Sequence, residues 1–387
     1  MRSQRSNIAV IGGGPAGSKA AALLAKEHTV TVVEEHSVSG LPVQCTGLVS
    51  DDVLDLCGVN IDVLNSLYGA HVHFPNGGVI SSRSNKRKAV LIDRYELDRK
   101  MADAAQDAGA EYLYNTKYRS HTISRDSVKI DIGFDMEADM IIGADGHRSN
   151  VSKTQLGNNN AKEYIKGIQA DLKHECDDQE MMNIFLGSDV APGFFSWVIP
   201  FGEFTRVGLC CYSNEVPMDH LKILIKKAGL ENAEVKEKHC GMIPLGGRPC
   251  TYGERLLLIG DSAGQVKPVS GGGLYPAFRS SYCLRDTVNE AFSSGDFSSG
   301  SLEKYETRWK KEVGKELRNG YAARRMYKKV DDRGLNEIYE AVNTPGVHEV
   351  LNDINIDNPS DVIFPIMKNF QVMAKALPAF LKAVVRR

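Results

Sequence analysis

The stretch Asn7–Glu34, NIAVIGGGPAGSKAAALLAKEHTVTVVE, decides the fold, because its hydrophobic period changes twice and glycines stand at the first change. Asn7 to Ile11 is an apolar, β-branched run, the pattern of a buried strand. A helical pattern covers Ser18 to Glu27, and a second strand runs from Thr29 to Val33 into the acid Glu34. Gly12, Gly14 and Gly17 have GxGxxG spacing, so the order is that of a dinucleotide-binding βαβ unit. Gly12 suits the tight turn, Gly14 the approach of a pyrophosphate to the backbone, and Gly17 the packing of helix on strand. The helix start offers free N–H groups and a positive dipole end to the phosphates. Glu34 is placed to accept both ribose hydroxyls of an adenosine half, and its charge argues against a 2′-phosphate there. The loop by itself leaves FAD and NAD both open.

Later segments bear on that choice. Ala138–Ala144 (ADMIIGA) is a second buried-strand pattern and runs into Asp145-Gly146-His147-Arg148-Ser149. Arg255–Ile259 runs into Gly260-Asp261, then Pro268, then Ser270-Gly271-Gly272-Gly273-Leu274. A carboxylate at a strand end, followed by a glycine-rich turn into a helix, suits a ribityl hydroxyl and a flavin's pyrimidine edge. A helix starting near Gly273 aims its positive end where charge accumulates on flavin reduction.

Together these segments resemble the FAD-dependent oxidoreductases of the p-hydroxybenzoate hydroxylase type, and within that group the geranylgeranyl reductases. The likeness is carried by Pro42-Val43-Gln44-Cys45-Thr46-Gly47, by Arg94 four residues before Asp98, by Pro192 to Pro200 with the Val207-Gly208 strand, and by Gly260-Asp261 with its glycine turn. It reaches to about residue 330. In the family's PxxYxWxFP motif the Tyr and last Phe positions are here Phe195 and Ile199, which removes a hydroxyl and keeps an apolar wall.

The resemblance implies FAD held by Gly12, Gly14, Ala16, Gly17, Glu34, Gln44, Cys45, Gly47, Arg94, Tyr118, Asp261, Gly273 and Leu274. It also implies a prenyl-lipid substrate in a tunnel walled by Phe195, Trp197, Ile199 and Pro200, of which the first three share a strand face. The implied reaction saturates geranylgeranyl C=C bonds, most plainly in archaeal di-ether lipid precursors. Hydride comes from reduced FAD and electrons from a separate donor, a ferredoxin-like protein or reduced nicotinamide. Cys45 is the candidate catalytic residue, for proton delivery or substrate placement, with packing of the cofactor loop as the other reading. His36 and His147 read as turn residues. The competing functions on the same scaffold are an aromatic monooxygenase or halogenase, and a non-catalytic flavin- or prenyl-lipid-binding protein.

The expected fold class is mixed α/β. A Rossmann-like FAD-binding domain takes residues 1–70, 94–158 and 251–292, and an antiparallel-sheet substrate domain takes 71–93 and 159–250. A helical region takes 293–387. Within 71–93 the pattern reads as a hairpin of His71–Phe74 and Ala89–Ile92 around Pro75-Asn76-Gly77-Gly78. Strands are expected at Ile165–Leu172, Met181–Leu186, Phe194–Ile199 and Thr205–Cys211, and a helix near Met218–Ala228.

The chain's 387 residues carry 47 basic and 49 acidic side chains, a net charge of −2, which excludes a wholesale nucleic-acid binder. No apolar run spans a membrane and no signal peptide precedes the first strand. The eight cysteines have no CxxC or zinc-ligand spacing, so they read as reduced thiols and no metal is expected. Lys310, Lys311, Lys315, Arg318, Arg324, Arg325, Lys328 and Lys329 form a basic stripe, either a solvated helix face or a landing site for anionic lipid. Val362–Val385 follows with an apolar face at i, i+3, i+4 spacing, compatible with a membrane interface or with docking on the core. The expected location is cytoplasmic, peripheral to the membrane.

Overall fold

In a computed structural model of the chain, the structure describes residues 4–157, 159–344, 347, 352 and 355–358. The alternation of the first strand, Gln4–Ile11, sends its side chains into two cores. Ile8 and Val10 join Leu24, Leu284, Tyr305 and Trp309 on one face, while Ala9 and Ile11 join Val128, Ile130 and Met136 on the other. Full burial of each Ile or Val contributes on the order of 1.5–3 kcal/mol. This strand is central in a sheet whose parallel strands run Leu256–Leu258, Asp135–Gly143, Gln4–Ile11, Val30–Val33 and Glu111–Leu113. The first helix, Pro15–Leu24, begins earlier than its apolar pattern suggests because Pro15 takes the opening helical position.

The second sheet has seven strands in the order Glu234–Leu245, Glu163–Lys173, Phe204–Tyr212, Ser196–Phe201, Met181–Phe185, Gly69–His73 and Val79–Arg83. It is antiparallel except where Met181–Phe185 runs parallel to Gly69–His73, so the antiparallel expectation needs that correction. The helix Pro217–Lys227 covers one face with Leu221 and Leu224. The other face carries Trp197 and Ile199.

The expected hairpin of His71–Phe74 with Ala89–Ile92 is not formed. Gly69–His73 pairs with Val79–Arg83 across the Pro75–Gly78 turn. Ala89–Ile92 instead centres a three-stranded sheet with Leu48–Val49 and Val63–Leu67. Its four consecutive buried residues explain the difference, since a strand covered on both faces needs partners other than a half-exposed hairpin arm.

The strand Glu234–Leu245 was hidden in the sequence, because EVKEKHCGMIPL is charged and exposed through its first half. It is the sheet's edge, where charge guards against pairing with another chain. Among the described residues beyond 297, helices run over Ser299–Glu312, Gly314–Tyr327 and Asp332–Val342. Within the basic stripe, Arg324 is buried on the Glu163 carboxylate, Lys328 also pairs with Glu163, and Lys310 pairs with Glu306. Lys311, Lys315, Arg318, Arg325 and Lys329 remain exposed. The apolar helix expected at Val362–Val385 lies outside the described residues. No helix among the described residues is long and apolar enough to cross a membrane.

Candidate functional site

The glycine loop is built by close approaches. Gly12 has φ +104°, and an added Cβ there would stand 2.4 Å from the Ala144 carbonyl oxygen, so only glycine fits between the two central strands. A Cβ on Gly17 would stand 2.0 Å from the Gly12 carbonyl oxygen. Gly14 differs: nothing lies within 4 Å of where its Cβ would be. It caps the Pro15–Leu24 helix with no side-chain hydrogen bond, leaving that helix start open to an anion.

Glu34 lies beside this loop, 7% exposed. Its Oε2 accepts from the Gly13 N–H at 2.6 Å, and its Oε1 from the His36 N–H at 2.9 Å and His36 Nδ1 at 2.6 Å. His36 is thus a turn residue that also orients the acid. Tyr118 is buried among Val128, Ile130 and Met136, with its hydroxyl 2.5 Å from His121 Nδ1 and 3.2 Å from Thr154 Oγ1. Burial pushes its pKa up to about 12.

The GD segment meets the glycine loop directly, since a Cβ on Gly260 would stand 2.7 Å from Ala16 Cβ. A relay fixes this turn. The Gly260 N–H donates to Gln265 Oε1 (2.8 Å), Gln265 Nε2 donates to Tyr305 Oη (3.0 Å), and Tyr305 donates to the Leu258 carbonyl (2.8 Å). Asp261 follows, with Oδ1 3.0 Å from the Cβ position of Gly273. Gly273 precedes the Leu274–Ser294 helix and, like Gly14, offers no side-chain cap.

Desolvation by the surrounding protein raises the Asp261 pKa to about 6, against the pull of Arg94 and Arg248. A folded-state pKa above the unfolded value penalises the charged form. The apo-protein therefore loses up to about 3 kcal/mol as pH rises from roughly 4 through 6. Asp261→Asn should remove that slope in apo-protein melts over this window. An unchanged slope would mean the carboxylate is better solvated than its surroundings indicate.

Buried polar atoms gather around the same cleft. Asp145 lies two residues past the Asp135–Gly143 strand; its Oδ2 accepts from the Val151 N–H at 3.0 Å, while its buried Oδ1 has no partner among the described residues. Burial raises its pKa. Arg248 binds the His147 carbonyl at 2.9 Å and the Asn159 carbonyl, and its buried Nε has no partner among the described residues. Burial lowers its pKa, and Tyr164, Asp145 and Asp261 work the other way. Arg248 follows a strand that sequence reasoning missed, so no signal marked it.

The cysteine loop is clamped from the second sheet. It begins with a cis peptide at Leu41-Pro42. Gln44 lies against Gly241 of the edge strand. The Cys45 carbonyl accepts from Gln169 Nε2 at 3.2 Å and the Thr46 carbonyl from Arg206 Nη1 at 2.5 Å. Arg206 is itself held bidentately by Asp171, both bonds 2.7 Å, and all three side chains are buried. Gly47 accepts from the Ile92 N–H at 2.9 Å and lies against Arg94 Cγ.

Arg94 opens the Arg94–Asp107 helix and binds Asp98 at 2.9 and 3.1 Å. Burial works against its charge, and Asp98 and Cys45 more than offset that, so its pKa stands above the ordinary range. The structure thus brings Cys45, Gly47, Arg94 and Asp261 together, while Tyr118 lies in the core cluster that also holds Ala263 of the GD segment. Nearby, Asp171, Glu237 and His239 bring ligand atoms within 4.8 Å of one another, but Arg206 already supplies the positive charge at Asp171.

The aromatic strand faces this loop. Trp197 and Ile199 share an apolar cluster with Phe194, Phe195, Leu48 of the cysteine-loop side, Val266 of the GD segment and Leu91. Phe195 stacks on Phe194 at 4.7 Å and meets Trp197 edge-on at 6.0 Å. Gly208, directly opposite Trp197, leaves room for the indole, whose buried Nε1 has no partner among the described residues. Pro200 is buried and its carbonyl accepts from Asn65 Nδ2 at 2.6 Å. Tyr327 donates to the Phe194 carbonyl at 2.5 Å and Arg324 to that of Gly193 at 2.9 Å, so the Gly314–Tyr327 helix holds this wall.

Comparisons with known proteins agree with this geometry. An uncharacterized protein of Methanocaldococcus jannaschii is 28% identical over 95% of this chain and 96% of its own. The digeranylgeranylglycerophospholipid reductase of Methanothrix thermoacetophila is 28% identical, over 89% of this chain and 93% of its own. A crystal structure of a geranylgeranyl bacteriochlorophyll reductase-like protein from Thermoplasma acidophilum superposes with a TM-score of 0.85 at 22% identity, covering 97% of this chain and 99% of that one. The open Gly14 cradle, the uncapped helix starts and the orphaned Asp145 oxygen fit a dinucleotide with polar groups between its two halves. Since the FAD binding domain family matches residues 5–318, this chain belongs to that family and its cofactor is FAD.

Proposed function

We propose that the protein saturates C=C bonds of geranylgeranyl chains in archaeal-type di-ether lipid precursors. The observation that carries this is the apolar cluster joining Phe195, Trp197 and Ile199 to the cysteine-loop side and to Val266 of the GD segment, a water-excluding wall beside the cofactor turn. Relatives named digeranylgeranylglycerophospholipid reductase, matched along 87% and 89% of the chain, support the same substrate class.

In this proposal Gly12, Gly14, Ala16 and Gly17 seat the pyrophosphate, and Glu34, braced by Gly13 and His36, takes the ribose. Gln44, Cys45 and Gly47 face the ring system, with Arg94 beside them. Tyr118 serves the adenine side, and Asp261, Gly273 and Leu274 serve the ribityl and pyrimidine side. Bound and reduced, FAD supplies hydride to one alkene carbon. The other carbon takes a proton, and Cys45, held by Gln169 through its carbonyl, is placed to control that delivery. Electrons reach the site from a separate donor, a ferredoxin-like protein or reduced nicotinamide. The exposed cations Lys311, Lys315, Arg318, Arg325 and Lys329 hold the protein at an anionic membrane surface, at about 1 kcal/mol each.

Anaerobic reduction followed by addition of 2,3-bis-O-geranylgeranylglyceryl phosphate should reoxidise the flavin, with a mass gain of two hydrogens per flavin. Reoxidation without that gain, or aerobic hydroxylation or halogenation of a phenol instead, would remove the reading. Cys45→Ser should slow reoxidation by lipid by about 100-fold with FAD retained, the scale of a lost proton-transfer group. An unchanged rate would leave Cys45 as a packing residue.

A further inference from the structure

A buried ion pair ties the C-terminal part of the chain to the two loops flanking the cofactor site. Asp357, 2% exposed, accepts from Lys267 Nζ at 2.6 Å and from Ser50 Oγ. Lys267 Nζ also donates to the Ile356 carbonyl at 2.9 Å. Lys267 lies between Asp261 and Gly273, and its side chain crosses the glycine turn: a Cβ on Gly272 would stand 2.9 Å from Lys267 Cε. Ser50 follows Leu48–Val49, the strand that leaves the cysteine loop. The cation and the hydroxyl therefore belong to the body of the site. The carboxylate comes from 307 residues beyond Ser50.

The neighbour of that carboxylate is equally placed. Ile356 packs into the cluster of Phe194, Phe195, Trp197 and Ile199. The Asp357 N–H donates to Asn355 Oδ1 at 2.8 Å, a turn that presents the two side chains together. A branched aliphatic group on an aromatic wall, next to an anion on a lysine and a hydroxyl, matches the chemistry of an isoprenoid chain ending in phosphate. A buried pair of this kind adds little net stability over apolar packing, yet neither charge tolerates being left alone. Lys267 therefore needs an anion in every state, either Asp357 or one brought by a ligand.

We propose that Ile356-Asp357 is an internal stand-in for substrate, occupying the prenyl wall and an anion seat of Lys267 and Ser50 that the phosphate of a prenyl phosphate takes over on binding. The prenyl half rests on the function proposed above; the anion seat does not. The test measures dissociation constants on FAD-loaded protein for geranylgeranyl monophosphate, geranylgeraniol and inorganic pyrophosphate. Asp357→Asn keeps the shape and frees the cation, so it should bind the monophosphate at least tenfold tighter than wild type, with geranylgeraniol unchanged. Lys267→Gln should lose at least tenfold for the monophosphate and nothing for the alcohol.

Equal shifts for both prenyl compounds in both variants, or no gain in Asp357→Asn, would reduce the pair to a structural brace while the prenyl reading stands. If neither prenyl compound binds, and pyrophosphate still binds tenfold tighter to Asp357→Asn than to wild type, the anion seat stands and the prenyl reading falls. Melting curves control for folding. Should Lys267→Gln not fold, the Asp357→Asn comparison decides alone.

Discussion

A Gly14→Glu variant is expected to fold and to bind no FAD. Its φ of −71° suits any residue, and no protein atom lies within 4 Å of the new Cβ, so the side chain enters space that the apo-fold leaves open. A carboxylate at the helix start interacts favourably with the dipole, by about 0.3–1 kcal/mol, so the apo-protein should melt no lower than wild type. The same charge would repel a pyrophosphate and fill the place proposed for it. A loss of at least 100-fold in FAD affinity, about 3 kcal/mol, is the expected scale. Gly17→Ala is the contrast: its Cβ would lie 2.0 Å from the Gly12 carbonyl oxygen, so the apo-fold itself should fail. Flavin content and apo-protein melting separate the two. A Gly14→Glu protein that purifies yellow, or whose apo form is unfolded, would contradict the assignment.

Asp171→Ala should destabilise the protein by about 3–5 kcal/mol, because it leaves the Arg206 charge buried without its partner. The double variant Asp171→Leu with Arg206→Met should recover most of that loss, since an apolar pair of similar volume replaces a buried ion pair at little net penalty. Stability returns, but the clamp on the Thr46 carbonyl does not. The double variant should therefore melt near wild type while showing a shifted flavin absorbance and slower turnover on lipid. Denaturant unfolding and flavin spectra of the singles and the double measure both. A double variant as unstable as Asp171→Ala would mean that the pair is held by more than its own charges.

Much of this was legible from local pattern. The period change at Gly12, the glycine spacing and Glu34 located the first βαβ unit, because each residue there answers to a neighbour close in sequence. The GD turn was legible for the same reason. What escaped depended on partners far along the chain. Arg206 reads as a strand residue until Asp171, one strand over, and Thr46, 160 residues away, are seen around it. Lys267 reads as a loop lysine without Asp357. The hairpin misreading has the same root, since Ala89–Ile92 is paired on both sides by strands that local alternation could not name. Arg324 stood in a run of cations, and nothing in that run marked which member turns inward to Glu163.

The relay from Leu258 through Tyr305 and Gln265 to Gly260 bears on how such a chain is inherited. The turn proposed to shape the flavin end of the site is propped by the Tyr305 hydroxyl of the Ser299–Glu312 helix, beyond the last strand of the first sheet. A recombination that exchanged the C-terminal helices as a cassette would sever that prop unless it carried Tyr305 or kept its equivalent. The family match running on to residue 318 takes in the whole prop, so the heritable unit is longer than the sheet that names it.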